Sequence, residues 1–287
     1  MAIAEGGALM DRTHMHVRDG VDSRYPSPSP VAERAAPTPE QFQNEIVAKE
    51  RPVVLRDLAA RWPLVCAARQ DPRRGLAILA AHAADVPVDV LRADPAEQGR
   101  FHYGPDGRSL NFMRGQAGLP AFLSALSEHE SRAQPYAIVT QGLIAEKHLP
   151  GFRQSHPMPL VPPSAEPRLW IGNAAKVAIH NDPVDNLAIV ALGRRRFTLF
   201  PPSAEPNLYM GPAHPTPAGT PVSMVHVTAP DLDRFPLYAK ALAGAEEAEL
   251  APGDAIFIPR DWFHHVEALD TLNVLVNYWW DSGDADA

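Results

Sequence analysis

From Tyr136 onward, nearly every apolar run in this chain is short and closed by turn residues: YAIVTQGL, RLWIG, KVAIH, NLAIVAL, RRFTLFPP, AIFIP, HHVEAL and TLNVLVNYWW. Such runs, rich in β-branched and aromatic residues, read as strands, because a helix would need apolar spacings of three and four sustained over a longer window. The 31 prolines and 18 glycines fall mostly between apolar runs, where they punctuate the chain. The pattern argues against an all-helical fold. It predicts a β domain of roughly eight strands over residues 136–281.

The first half reads as mixed α and β. Thr38-Pro39-Glu40-Gln41 places a capping residue, a proline at the first helical position and a glutamine at the third, which predicts a helix to about Lys49. PVVLRDL and the alternating PVDVLRA predict strands, while GLAILAAHAA (75–84) and LPAFLSALSEH predict helices. FHYGPDGRSLNF carries Gly-Pro-Asp-Gly between aromatic ends, as a hairpin-like turn does. Residues 1–36 are rich in Pro, Ser and charge without periodicity and are expected to be disordered or loosely attached. The expected organisation is one domain over 37–281, with a mixed part at 37–135, the β core at 136–281 and a short tail at 282–287. A chain of 287 residues, 45% of them hydrophobic, suffices for a large, mainly β domain with an α annex.

Charge and cysteine content narrow the chemistry. A formal net charge of −8 leaves no general basic surface for phosphate backbones, so nucleic acid is not the expected partner despite the local run Arg194-Arg195-Arg196. Cys66 is the single cysteine, which excludes an internal disulfide and any zinc site built on several thiolates. A metal here would have nitrogen and oxygen ligands. The opening MAIAEGGALMDRTHMH lacks the basic and apolar regions of a signal peptide, and no apolar run is long enough to span a bilayer, so a cytoplasmic location is expected.

His180-Asn181-Asp182 interrupts two runs that look like buried strands. Residues two apart on a strand share a face, so His180 and Asp182 would project together and reach one ion. A hydrogen-bonded His/Asp pair at a strand end is the plainer alternative for an isolated pair of this kind. A third ligand is offered by PGDAIFIPRDWFHHVEAL, where the turn Arg260-Asp261 leads into a strand carrying His264 and His265. If Val266 and Ala268 line the inner face, His264 joins them and His265 falls on the face of Glu267. Two histidines and a carboxylate form a facial triad that suits Fe(II) and leaves coordination positions open.

The chain resembles the cupin-like Jumonji-C oxygenases, nearest to their bacterial cupin-like group and to the branch that hydroxylates an asparagine of hypoxia-inducible factor. The resemblance runs from about Glu45 to Trp280 and is carried by RPVVLRDLAARWPLV, FHYGPDGRSLNF, LPGF, WIGNAAKVAIHNDPVDN, GRRRFTLFPP, DLDRFP and PGDAIFIPRDWFHHVEALDTLNVLVNYWW. It implies a double-stranded β-helix (cupin or jelly-roll) core with N-terminal helices and strands packed on it. It also implies Fe(II), 2-oxoglutarate as cosubstrate, and hydroxylation of a C–H bond in a protein side chain or small molecule. Carried over by position, the metal ligands are His180, Asp182 and His264. Arg195, two residues after Gly193, stands where the family has a lysine that binds the far carboxylate of 2-oxoglutarate. Asn186 and Asn277 fall beside the cosubstrate. Val177 replaces a frequent threonine, Gln141 aligns with a family pocket strand, and Trp279 is read as a core or pocket-wall aromatic. Two other classes stay in view: a metal-dependent cupin that does not use 2-oxoglutarate, and a non-catalytic binding module, to which Val177 points.

Overall fold

The run DNLAIVAL is buried at all its positions, Asp185 to Leu192, which a strand achieves only with both faces covered. The computed structural model describes residues 26–129, 136–217 and 219–281 and shows what covers them. The expectations for residues 1–25 and for the 282–287 tail lie outside the described residues.

Two sheets face each other. The larger has nine strands in the order β2 (Ala32–Ala35), β3 (Val53–Arg56), β13 (Ala255–Ile258), β10 (Asp185–Leu192), β15 (Asn273–Trp280), β8 (Arg168–Gly172), β7 (Ala137–Ile144), β4 (Pro87–Ala93) and β6 (Phe112–Gly118). The smaller has six: β1 (Ser29–Pro30), β12 (Glu246–Leu250), β11 (Arg195–Phe200), β14 (Phe263–Ala268), β9 (Lys176–His180) and β5 (Arg100–Phe101). From β8 to β11 the chain changes sheet at each connection, and from β12 to β15 it does so again. That alternation is the double-stranded β-helix expected from the sequence.

Side-chain parity then divides the core. Ala188 and Val190 of β10 pack between the sheets with Phe197, Leu199, Ile256, Ile258 and Val266. Leu187 and Ile189 point the other way, into a cluster with Phe42, Ile46, Leu76 and Leu79. The helical annex thus seals the back of the larger sheet, and β10 reads as a continuous apolar run because neither face meets water.

The annex forms largely as its local signals direct. Thr38 Oγ1 accepts from the Gln41 amide at 3.2 Å and Gln41 Oε1 from the Thr38 amide at 3.0 Å, and helical turns run on to Lys49. The helix expected at 75–84 spans Pro72–His82, because Asp71 caps it from further upstream by accepting from the Arg73 amide. Two expectations are corrected. Residues 29–35 are not loose: β1 runs parallel to β12, β2 runs parallel to β3, and Val31 between them is 3% exposed. One buried valine in a Pro- and Ser-rich stretch is too little pattern to read. The β region from Tyr136 also holds nine strands, the extra one being β12, EEAEL. Its glutamates disguise a strand whose outer face meets arginines: Glu249 lies 3.0 Å from Arg194 and Glu247 3.9 Å from Arg196. Among the described residues no helix is long and apolar enough to cross a membrane.

Gly193 joins β10 to β11 with φ +70°, and a Cβ there would sit 2.1 Å from the Leu272 carbonyl oxygen. Gly193→Ala is expected to lower unfolding free energy by about 2 kcal/mol or more, measured by urea denaturation. An unchanged midpoint would mean that the turn relaxes freely.

Candidate metal centre

His180 ends β9 and His264 lies near the start of β14, and the antiparallel register sets them directly opposite. Their ring centroids are 4.3 Å apart. Asp182 completes the group, with one ligand atom from each of the three residues within 4.8 Å of the others. The strand does not continue to Asp182, as the alternation argument had it. The chain leaves β9 after His180, and Asp182 reaches inward from the turn before β10, where its carbonyl accepts from the Asp261 amide at 2.8 Å.

Each imidazole is held in the tautomer that ligation needs. His180 Nδ1 lies 2.9 Å from the Ala178 carbonyl and His264 Nδ1 3.1 Å from that of Trp262. A carbonyl only accepts, so the proton belongs on Nδ1 and the Nε2 lone pair faces the cavity. Burial, and secondarily the adjacent His180, holds His264 well below the usual imidazole range, so it is neutral at physiological pH. The carboxylate is oriented as well. Asp182 Oδ2 accepts from Trp279 Nε1 at 3.1 Å and from Asn186 Nδ2 at 3.2 Å, while Asn277 Nδ2 donates to Asn186 Oδ1 at 2.8 Å. Asn186, Asn277 and Trp279 therefore form a relay that aims Asp182, which the carried-over cosubstrate role for the two asparagines did not include. Two imidazoles and one aimed carboxylate are a donor set suited to a divalent ion such as Fe(II).

These groups open on a cavity between the sheets, walled by Trp170, Val177, Phe197, Ile258, Val266 and Leu275, with Arg195 inside it. A β-bulge shapes this wall. β14 pairs His264 with His180 but Val266 with Val177, so β9 carries one extra residue. Strict alternation would put Val177 and His180, three apart, on opposite faces; the bulge puts both in the cavity. His265 lies on the outer face, in a separate cleft with His102 and His226. Gln141 does not line the cavity: it sits where β7 loses register between Thr140 and Leu143.

The three consecutive arginines separate by face. Arg194 pairs with Asp270 and Glu249, and Arg196 with Glu267 and Glu249. They are not on a sheet edge, since β11 has β12 on one side and β14 on the other. Arg195 points inward, is 8% exposed, and forms no ion pair among the described residues. Its guanidinium makes one long contact, 3.5 Å, to the Trp170 carbonyl, and its Nε has no partner. Burial lowers its pKa to about 10, so the cation persists at neutral pH. Trp170 was not singled out from the sequence, although RLWIG, with Leu169 and Ile171 packed on the far side, marks it as the inward residue of β8.

His180→Ala, Asp182→Ala or His264→Ala is expected to abolish stoichiometric binding of Mn(II) or Fe(II), whereas His265→Ala retains it, as read by metal analysis after gel filtration. Equal loss from the His264 and His265 changes would contradict the face assignment.

Comparison with known proteins gives the same architecture. The family model described as a cupin-like domain matches residues 39–286. The chain is 40% identical over 114 residues to lysine-specific demethylase JMJ31 of Arabidopsis thaliana, covering 39% of this chain and 20% of that one. It is 40% identical over 116 residues to human HSPB1-associated protein 1, covering 40% and 23%. It is 37% identical over 101 residues to tRNA wybutosine-synthesizing protein 5 of Mus musculus, covering 35% and 29%. The matched segments thus span less than a third of these relatives. With its paired sheets, its His-Asp-His group and a family match over almost all described residues, the chain belongs to the cupin-like domain family of Jumonji-C type.

Proposed function

We propose that this chain is an Fe(II)- and 2-oxoglutarate-dependent oxygenase that hydroxylates a C–H bond of a protein side chain or small molecule. The observation that carries the proposal is Arg195, a buried cation that forms no ion pair among the described residues, in the cavity that also holds His180, Asp182 and His264. An unpaired buried charge is costly, by several kcal/mol even after relaxation. A ligand carboxylate would relieve it. β14 pairs Leu199 with His264 and Ala268 with Arg195, so the Arg195 backbone lies four residues, roughly 13 Å, along the sheet from the histidine. The space between suits a ligand that is anionic at one end and metal-chelating at the other. A keto diacid has both features, and a guanidinium can grip its far carboxylate bidentately.

His180, Asp182 and His264 would hold the metal, with Asn186 and Trp279 keeping the Asp182 carboxylate aimed. Bound Fe(II) with 2-oxoglutarate supplies oxidative hydroxylation, with succinate and CO₂ as coproducts. The protein's own share is positioning: Arg195 fixes the depth and direction of the cosubstrate, and the apolar wall from Val177 to Leu275 keeps water from its chain. A cupin that used its metal without a diacid would have no use for Arg195. Two of the relatives are named for lysine demethylation and tRNA wybutosine synthesis, and for this chain the net charge of −8 favours a protein or small-molecule substrate over nucleic acid.

The test is anaerobic titration of the Fe(II)-loaded protein with 2-oxoglutarate, followed by the weak visible absorption of the keto acid chelate. Wild-type protein should develop the band, and Arg195→Ala should need at least about tenfold more cosubstrate, as loss of a charge-assisted pair predicts. Iron binding without a band at any concentration would reject the cosubstrate.

A further inference from the structure

The cavity wall among the described residues has no Ser, Thr or Tyr. Its other donors are nearly all committed: Trp279 Nε1 and Asn186 Nδ2 donate to Asp182, and Asn277 Nδ2 to Asn186. Three buried polar atoms of the lining are left without a partner: Arg195 Nε, Trp170 Nε1 and Asn277 Oδ1. An unmet buried N–H or C=O is uncommon and costs about 1–3 kcal/mol, so each asks for a ligand atom.

The three atoms differ in sign. A carboxylate only accepts, so Asn277 Oδ1 repels it while Trp170 Nε1 and the Arg195 guanidinium attract it. The latter two open on the same cavity, and Arg195 Nη2 lies 3.5 Å from the carbonyl of the residue that carries the indole. The indole is also fixed: Trp170 sits opposite Leu275 in the β8–β15 pairing and meets Trp279 edge to face at a 6.0 Å ring separation.

We propose that the indole N–H of Trp170 is the second donor to the far carboxylate of the cosubstrate, beside Arg195, in a cradle that needs no side-chain hydroxyl. This rests on 2-oxoglutarate being the cosubstrate, and it makes Trp170 a determinant of selectivity for diacids over mono-acids. A neutral N–H adds direction to the guanidinium's charge. With Val177 too apolar to donate, it is the remaining neutral group of the wall that can do so.

The experiment uses the full chain, labelled with ¹⁵N and loaded with diamagnetic Zn(II), and two probes. These are 2-oxoglutarate and pyruvate, which shares the keto acid end but has no far carboxylate. Each of the five tryptophans gives one indole N–H resonance, and Trp170→Phe identifies its own by loss. The expected result is a downfield shift of the Trp170 indole proton with 2-oxoglutarate and little change with pyruvate. Trp170→Phe should bind 2-oxoglutarate about tenfold more weakly with pyruvate affinity unchanged. An unmoved Trp170 resonance in protein that binds 2-oxoglutarate, or equal weakening of both keto acids in the variant, would overturn the indole assignment alone. Failure of wild-type protein to bind 2-oxoglutarate at all would overturn the functional reading beneath it.

Discussion

The antiparallel pairing of β9 with β14 is the constraint on which the site depends. It sets His180 opposite His264, and each ring then finds a carbonyl of its own chain two residues back. A slip of one residue would turn His265 inward and His264 outward, so the ligand set exists only in this register. The bulge in β9 adds a second condition, because it lets Val177 and His180 share the cavity while the next turn brings Asp182 back toward the rings. The buried apolar residues on both sides of β14, Phe197 and Leu199 on β11 among them, hold that register by penalising any slip with exposed surface.

The smaller sheet also sorts charge by face. Along β11 the outward Arg194 and Arg196 face Glu249, Glu267 and Asp270, a partly exposed network that adds little net stability for each pair. Between them Arg195 points into a low-dielectric cavity and forms no ion pair among the described residues. Neighbouring residues of the same type thus sit at opposite energetic extremes. β11 is held by its ladders with β12 and β14 and by the apolar packing of Phe197 and Leu199, and Arg195 is carried inside that frame.

Much of this was legible in the sequence. The short turn-bounded runs announced the β core, and strand parity chose His264 over His265 for the inner face, whereas Asp182, placed beside His180 by alternation, reaches the group from a turn. What escaped was whatever depends on departures from regular period. The bulges at Val177 and Gln141 leave no mark in composition, the acidic alternation of Glu246–Leu250 hides a strand whose partners are arginines elsewhere, and one buried valine, Val31, ties down a stretch that reads as loose. The two asparagines were legible only as neighbours of the cosubstrate, because the partner that Asn186 serves, Asp182, is a tertiary fact.

That last point bears on how the site distinguishes its two tasks. Asp182 must present a lone pair to a cation, so the groups around it have to be donors, and Asn186 and Trp279 are. Once Asn186 donates to Asp182, its oxygen must accept, which forces Asn277 to donate and leaves the Asn277 oxygen facing the cavity. The relay therefore ends in an acceptor, which would repel a carboxylate placed against it. Arg195 and Trp170 present unpartnered donors to the same cavity, so its lining offers hydrogen-bonding groups of both signs. On the proposed function, the anionic end of the cosubstrate would be drawn to these donors and turned away from the Asn277 oxygen, so the hydrogen-bond directions of the lining would favour one orientation of the ligand.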